Sequence, residues 1–287
     1  MPAEPGQPVQ NLALMAQQIP ALPLTYQRVS QVVADPHATA VHIAEAVAAD
    51  QGLAMRILQL ANSAMYGQVA RIDTLTQALS LIGNRQLRDL ALGMAVVDLF
   101  KDVRAPEIDL RSFWEHSIAV ASSARLIAAA RGERETERNF VAGLLHDVGI
   151  MISAQAQPDR LAQQLRRARE ESSLVAFVER ADQGFDHAEL GAAVLERWRL
   201  PQVMIEVVAG HHRPMLTATY ARECADVHFS DLLVDALGYG SAGEAIVPPL
   251  DTHAWDLCGL PVGQLARIAD ALEHQVVELT DIFVGAR

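Results

Sequence analysis

Cysteine is scarce in this sequence. Cys224 and Cys258 are the two residues of that type. They form no Cys-x-x-Cys pair, so neither a disulfide framework nor a thiolate metal knuckle organises the chain. Aromatic residues reach only 5% and β-branched clusters are few, which disfavours an all-β reading. A positive surplus is missing too. Acidic residues outnumber basic ones 35 to 23, for a formal charge of −12, so the general phosphate grip of a nucleic-acid binder is not expected. The most apolar stretch, residues 118–130, is interrupted by serine and arginine and is too short to span a bilayer, so no membrane association is expected. The opening Met1-Pro2-Ala3-Glu4-Pro5 has neither a basic region nor an apolar run. No secretory signal is therefore expected, and the cytoplasm, with reduced thiols, is the expected compartment.

What is present is a chain of 287 residues, 51% hydrophobic and 20% charged, which excludes a disordered protein. At this length, folding buries about three quarters of the extended surface, enough for a core without staples. Abundant alanine leans towards helix. Helical periodicity runs through the first hundred residues, with stripes at Val29, Val32 and Val33, at Ile57, Leu60, Ala61 and Ala64, and at Leu75, Ala78, Leu79 and Ile82. Thr39 and Thr74 stand where N-caps belong. Residues 1–7, rich in proline and glycine, read as a frayed end. Residues 101–110 read as a connector. Beyond it, helices are expected over 111–130, 140–148 (stopped by Gly149), 159–172, 186–199, 201–212, 221–237 and 263–283, with a loop over 238–249. The expected architecture is all-α, in two helical lobes, residues 8–105 and 106–287.

Chemistry concentrates in histidine. Six of the ten lie between residues 116 and 228. Val141, Leu144, Leu145 and Val148 make an apolar stripe, and at ~100° per residue His146 and Asp147 fall on the other half of the helix. An imidazole and a carboxylate side by side reach one divalent cation but supply too few ligands alone, so other helices must contribute. His116 shares a face with Ala119 and Val120. His187 shares one with Leu190 and Val194, in a helix capped by Asp186 with Glu189 at the reciprocal position. His212 lies with Ile205, Val208 and Ala209, and His211 with Met204, Val207 and Val208. Asp231 stands among Val227, Leu232, Leu233 and Val234, a costly place for a lone carboxylate. Each has a plainer alternative. A single inward histidine also fits a hydrogen-bonded core. His211-His212 also fits a cap on a helix C-terminus. Asp226, Asp231 and Asp235 also fit one solvated acidic face. Taken together, the series is an inventory of metal ligands.

In its order His116, His146-Asp147, Asp231, the chain resembles the HD superfamily of metal-dependent phosphohydrolases. More closely, it resembles the HDOD domain of bacterial signalling proteins. The resemblance rests on residues 19–23, 50–53, 57–63, 76–78, 81–83, Phe113-Trp114-Glu115-His116-Ser117, residues 143–149, His187-Ala188-Glu189-Leu190-Gly191, residues 198–201 and His211-His212. It covers about residues 12–240. It implies an N-terminal helical bundle packed on an HD-like helical lobe. It also implies His116, His146, Asp147 and Asp231 as the core ligand set, with His187, His211 and His212 where related HD-GYP phosphodiesterases hold a further metal. Two departures weigh against cyclic dinucleotide hydrolysis. Ile150 stands where those enzymes carry lysine, and Arg213-Pro214-Met215 follows the paired histidines instead of their Gly-Tyr-Pro segment.

The expected function is therefore an HDOD-type output module of bacterial signal transduction with a metal-binding HD site. It would work through a signalling partner, such as a receiver-domain or kinase system, or through self-association. Arg85, Arg88 and Asp89 read as exposed polar residues on the N-terminal lobe's contact surface. The alternative is a divalent-metal-dependent phosphohydrolase, a phosphodiesterase or nucleotide phosphatase with Asp147 as its catalytic carboxylate. The imidazole-rich ligand set favours iron, manganese or zinc over magnesium.

Overall fold

Short polar side chains set the helix starts. Thr39 and Thr74 each close a capping box, Thr74 with Gln77. Asp50, Asp109 and Asp186 accept from backbone N–H groups three residues on, at 3.0, 2.7 and 3.0 Å. Such bonds satisfy donors that the first helical turn leaves unpaired. The computed structural model describes residues 7–68, 70–216 and 219–286. Residues 1–6, most of the expected frayed end, lie outside the described residues, and Gln7 already belongs to the first helix.

The first part of the chain folds as α1 (Gln7–Gln18), α2 (Leu24–Ala34), α3 (Ala40–Ala48), α4 (Gln51–Ala61), α5 (Leu75–Ile82) and α6 (Asn84–Leu99). There follow α7 (Leu110–Ala130), α8 (Glu137–Leu145), α9 (Val148–Ala156), α10 (Pro158–Glu171), α11 (Val175–Gln183) and α12 (His187–Arg197). The last are α13 (Gln202–Gly210), α14 (Ala221–Leu237), α15 (Thr252–Cys258) and α16 (Leu265–Val284). Among the described residues there is no strand, only an isolated bridge between Ala105 and Ile108 in the connector. The fold is all-α, and no described helix is long and apolar enough to cross a membrane.

Helix α7 lies in the middle of the core, with Phe113, Trp114, Ile118, Val120 and Ile127 almost fully buried. It packs against α8, α14 and α16. Helix α16 also returns onto α4 and α6, while α1 crosses to α9 and α12. Arg197 fixes that crossing by donating to the carbonyls of Ala16 and Ile19 at 3.0 and 2.5 Å, and the Trp198 indole donates to Pro20 at 2.9 Å. The hydrophobic core is continuous from α1 to α16. Arg85 is exposed, but Arg88 and Asp89 are not: the Arg88 guanidinium closes on its neighbour's carboxylate at 2.7 Å in a half-buried cleft.

Three elements differ from the sequence reading. Helices α9, α11 and α15 were not anticipated; the expected helices leave residues 149–158, 173–185 and 250–262 without one. Gly149 does not stop a helix. The break falls at His146-Asp147, and Gly149 is the second residue of α9. Its small size has a packing cause: a Cβ there would lie 1.9 Å from the His187 carbonyl oxygen. Helices α9 and α12 approach that closely because the position is glycine. Gly149→Ala is expected to cost about 2 kcal/mol or more in urea unfolding, within the range for forced overpacking. Gly263→Ala, where an added Cβ meets nothing within 4 Å, is expected to change stability little.

Candidate metal centre

Each expected site residue lies at a helix end or on an inward helix face. His116 projects from α7, and His146 with Asp147 fills the turn between α8 and α9. His187 opens α12. His211 is the C-cap of α13, with His212 after it, and Asp231 lies within α14. The structure brings all seven together. His116, His146 and Asp231 form one cluster, and His187, His211 and His212 a second. Within each, one potential ligand atom per residue lies within 4.8 Å of the others.

Asp147 joins the two. Its Oδ2 is 3.2 Å from His146 Nε2, while its Oδ1 is 3.2 Å from His187 Nε2 and 3.4 Å from His211 Nε2. Asp231 Oδ1 approaches His116 Nε2 at 3.1 Å and His146 Nε2 at 3.6 Å. Despite these approaches, Nε2 of His116, His146 and His211 and Oδ1 of Asp147 are buried and make no hydrogen bond. Buried polar atoms rarely stay unsatisfied, so these orphans need an explanation.

The opposite ring nitrogens of His146 and His211 are occupied. His146 Nδ1–H donates to the Gly143 carbonyl at 2.7 Å, and His211 Nδ1–H donates to Val208 at 2.9 Å. A carbonyl only accepts, so both Nδ1 atoms carry hydrogen and both Nε2 atoms face the centre. Capping a helix and facing the site are thus compatible for His211. Glu179, fully buried, takes both the backbone N–H and the Nδ1–H of His187, at 2.8 and 2.7 Å on one oxygen. Asp235 Oδ1 lies 3.5 Å from His116 Nδ1. Outer carboxylates of this kind orient metal-ligating histidines. His212 Nε2 is 2.7 Å from His187 Nε2, so one proton is shared there.

Without a metal, protons hold the centre together. Burial alone would lower the His146 pKa, but Asp147 and Asp231 outweigh it and hold it up at about 10. Burial would likewise lower His187, yet Glu179 and Asp147 keep it well above its ordinary value. Asp147 is pushed up by burial but held well below the usual carboxylate range by His146, His187 and His211. Burial, with repulsion from His211 and His187, keeps His212 neutral.

The acidic residues of α14 do not form a solvated face. Asp226 points elsewhere and is fully buried, held by both Nη atoms of Arg131 at 2.6 and 2.5 Å and by Asn139 at 3.0 Å. That cluster is structural. Glu179, Asp235 and Glu244 escaped the sequence reading. Glu179 lies in the unanticipated α11. Asp235, four residues after Asp231, shares its face. Glu244 sits in a loop with no periodicity to read.

Glu244 borders the centre. A cavity of about 10 Å³ is lined by His116, Asp147, His187, His212 and Asp231, and covered by Ile150, Val175, Ala242 and Glu244. That is room for about one water-sized centre.

A family model described as the HDOD domain matches residues 19–214, and the chain belongs to that family. An HDOD domain protein of unknown function from Geobacter sulfurreducens is 27% identical, with a TM-score of 0.75 over 96% of this chain and 98% of that one. A proposed phosphohydrolase from Shewanella amazonensis SB2B is 21% identical, with a TM-score of 0.76 over 97% and 98%; it shares the fold. An uncharacterised protein from Treponema pallidum (strain Nichols) is 24% identical over 218 residues, which are 75% of this chain and 42% of that relative. The chain thus spans less than half the length of that relative.

Burial, with repulsion from Asp147 and Asp231, raises the Glu244 pKa to about 8. A carboxyl whose folded pKa exceeds its unfolded value contributes stability below the unfolded pKa and loses it as pH rises through the folded one. In the metal-free protein, Glu244→Gln should therefore be stabilising relative to the native chain, with a gain larger at pH 8 than at pH 5. Melting temperatures of both proteins at the two pH values check this.

Proposed function

We propose that this chain is an HDOD signalling output module whose His/Asp centre holds divalent metal. The observation that carries the reading is the set of buried, unsatisfied Nε2 and Oδ1 atoms facing one another in a space the size of a water. Imidazoles that ligate once deprotonated, with Nδ1 of His146, His187 and His211 already engaged, plus two carboxylates, are a donor set for a borderline cation such as iron, manganese or zinc rather than magnesium. His116, His146 and Asp231 would hold one ion and His187, His211 and His212 another, with Asp147 between them. Metal would tie α7, the α8–α9 turn, α12, α13 and α14 into one unit and stabilise the fold by mass action. The module's partner would be a signalling protein, of receiver-domain or kinase type, or a second copy of the chain.

One observation favours a second reading, a metal-dependent phosphohydrolase. Asp147 presents one oxygen to each cluster, as in two-metal hydrolytic sites, where bound cations polarise phosphoryl oxygens and lower the pKa of water towards ~7. Against turnover stand the closed space, too small for a phosphoester, and Ile150 in its wall, which offers phosphate no positive charge. The net charge of −12 also provides no general attraction for nucleotides.

Elemental analysis of protein purified without chelator tests the metal reading. The native chain should retain one or more equivalents, and the His146→Ala, Asp147→Ala double variant close to none. Near-zero metal in both would refute it. Retained metal should fall from pH 8 to pH 6, because His146 and His187 must give up protons to bind. The module and the hydrolase separate on phosphodiester turnover with added manganese. The module predicts the same background rate for the native chain and Asp147→Ala, whereas a rate lost in the variant would establish the hydrolase.

A further inference from the structure

The walls around the His/Asp centre are unequal. Helices α7, α9, α11, α12 and α14, each part of the continuous core, line it together with Asp147 in the α8–α9 turn and His212 just past α13. The remaining wall is residues 239–250, which have no regular secondary structure. Gly240, at φ +61°, lies so close to α7 that a Cβ would sit 2.2 Å from the Ser112 carbonyl oxygen and 2.6 Å from the His116 backbone nitrogen. Ser241 N–H donates to that same carbonyl at 3.2 Å. Ala242, 5% exposed, covers the cavity. The segment then ends on one strong contact: both Glu244 oxygens accept from Val175 N–H, at 3.0 and 3.2 Å. Val175 is the first residue of α11, whose amide has no partner within its own helix. Beyond Glu244 the packing lapses, and Ile246, Val247 and Leu250 are 37%, 47% and 44% exposed.

We propose that residues 239–250 are a gate over the His/Asp centre, latched by the Glu244 carboxylate on the Val175 amide, and that ions and small solutes reach the centre when this latch opens. The metal-exchange part of this inference rests on the metal reading above; the gate itself does not. Segments with few buried contacts and few backbone bonds open at lower free energy than the core around them. The latch sits on a wall of that kind. Closed, it leaves room for an ion or a water; open, it uncovers His116, His187, His212 and Asp231 together. Control of access is thus placed in a surface segment, away from the ligands.

Two rates test the gate in Glu244→Ala, which removes the latch, and in Gly243→Ala. Gly243 has φ +110°, and a Cβ there would sit 2.7 Å from a Leu165 methyl, so alanine strains the segment while leaving the carboxylate in place. The first rate is modification of His116 and His212 by diethylpyrocarbonate in metal-free protein, followed by mass spectrometry. The second is loss of manganese or zinc to excess chelator. Both variants should raise both rates severalfold, with Glu244→Ala reaching about tenfold, the upper effect of losing one ordinary hydrogen bond. Native rates in both folded variants would overturn the gate. Faster modification together with no metal retained by any of the three proteins would uphold the gate and refute the metal reading.

Discussion

A buried carboxylate ringed by imidazoles is the constraint around which this half of the fold is arranged. Asp147 sits in the two-residue turn between α8 and α9 with each oxygen turned to a different histidine cluster. Such a group is costly to bury unless every neighbour cooperates. The neighbours are supplied by helices far apart in sequence, so the helices have little freedom to move independently. Gly149 allows α12 to come close enough to deliver His187. Gly143, where a Cβ would meet Ala121 Cα at 2.8 Å, lets α8 lie against α7 and brings His146 near His116. The glycines of the His-Asp segment are thus consequences of the site.

Much of this was legible in the sequence, for stated reasons. Helices with a one-sided apolar stripe and a polar cap, such as α5 and α12, were read to within a residue or two. All seven expected site residues converge: five stood on apolar faces or among apolar neighbours, where an unpartnered polar group would be expensive, and His146-Asp147 stood together opposite an apolar stripe. What was not legible had no periodic signal. The two-residue break at His146-Asp147 interrupts a helix without proline and with glycine in the wrong place for a stop. Glu179 and Glu244 act through tertiary contacts, one on a ring nitrogen and one on a backbone amide, which spacing does not encode. The acids of α14 show the limit most clearly. Asp226, Asp231 and Asp235 look alike along the chain, yet one neutralises Arg131, one faces the histidines and one backs His116.

Membership of the HDOD family and a closed His/Asp centre fit together in one physical picture. A chain of helices with a shared polar knot at their junction responds as a unit to whatever occupies that knot, because the ligands come from five elements. A signalling module needs such coupling between a local event and a whole surface. In the proposed module, the occupant's charge, proton or metal, would be the local event, and the covering segment would set how quickly it exchanges with solution.

The claim at the centre of this account is that Asp147 and the two clusters form a cation site. Anomalous diffraction from crystals soaked in manganese addresses it most directly. The account predicts anomalous density between Asp147 and one or both histidine triads, with Nε2 atoms turned towards it. Site histidines bonded to one another or to water, with no anomalous density beside Asp147, would contradict it.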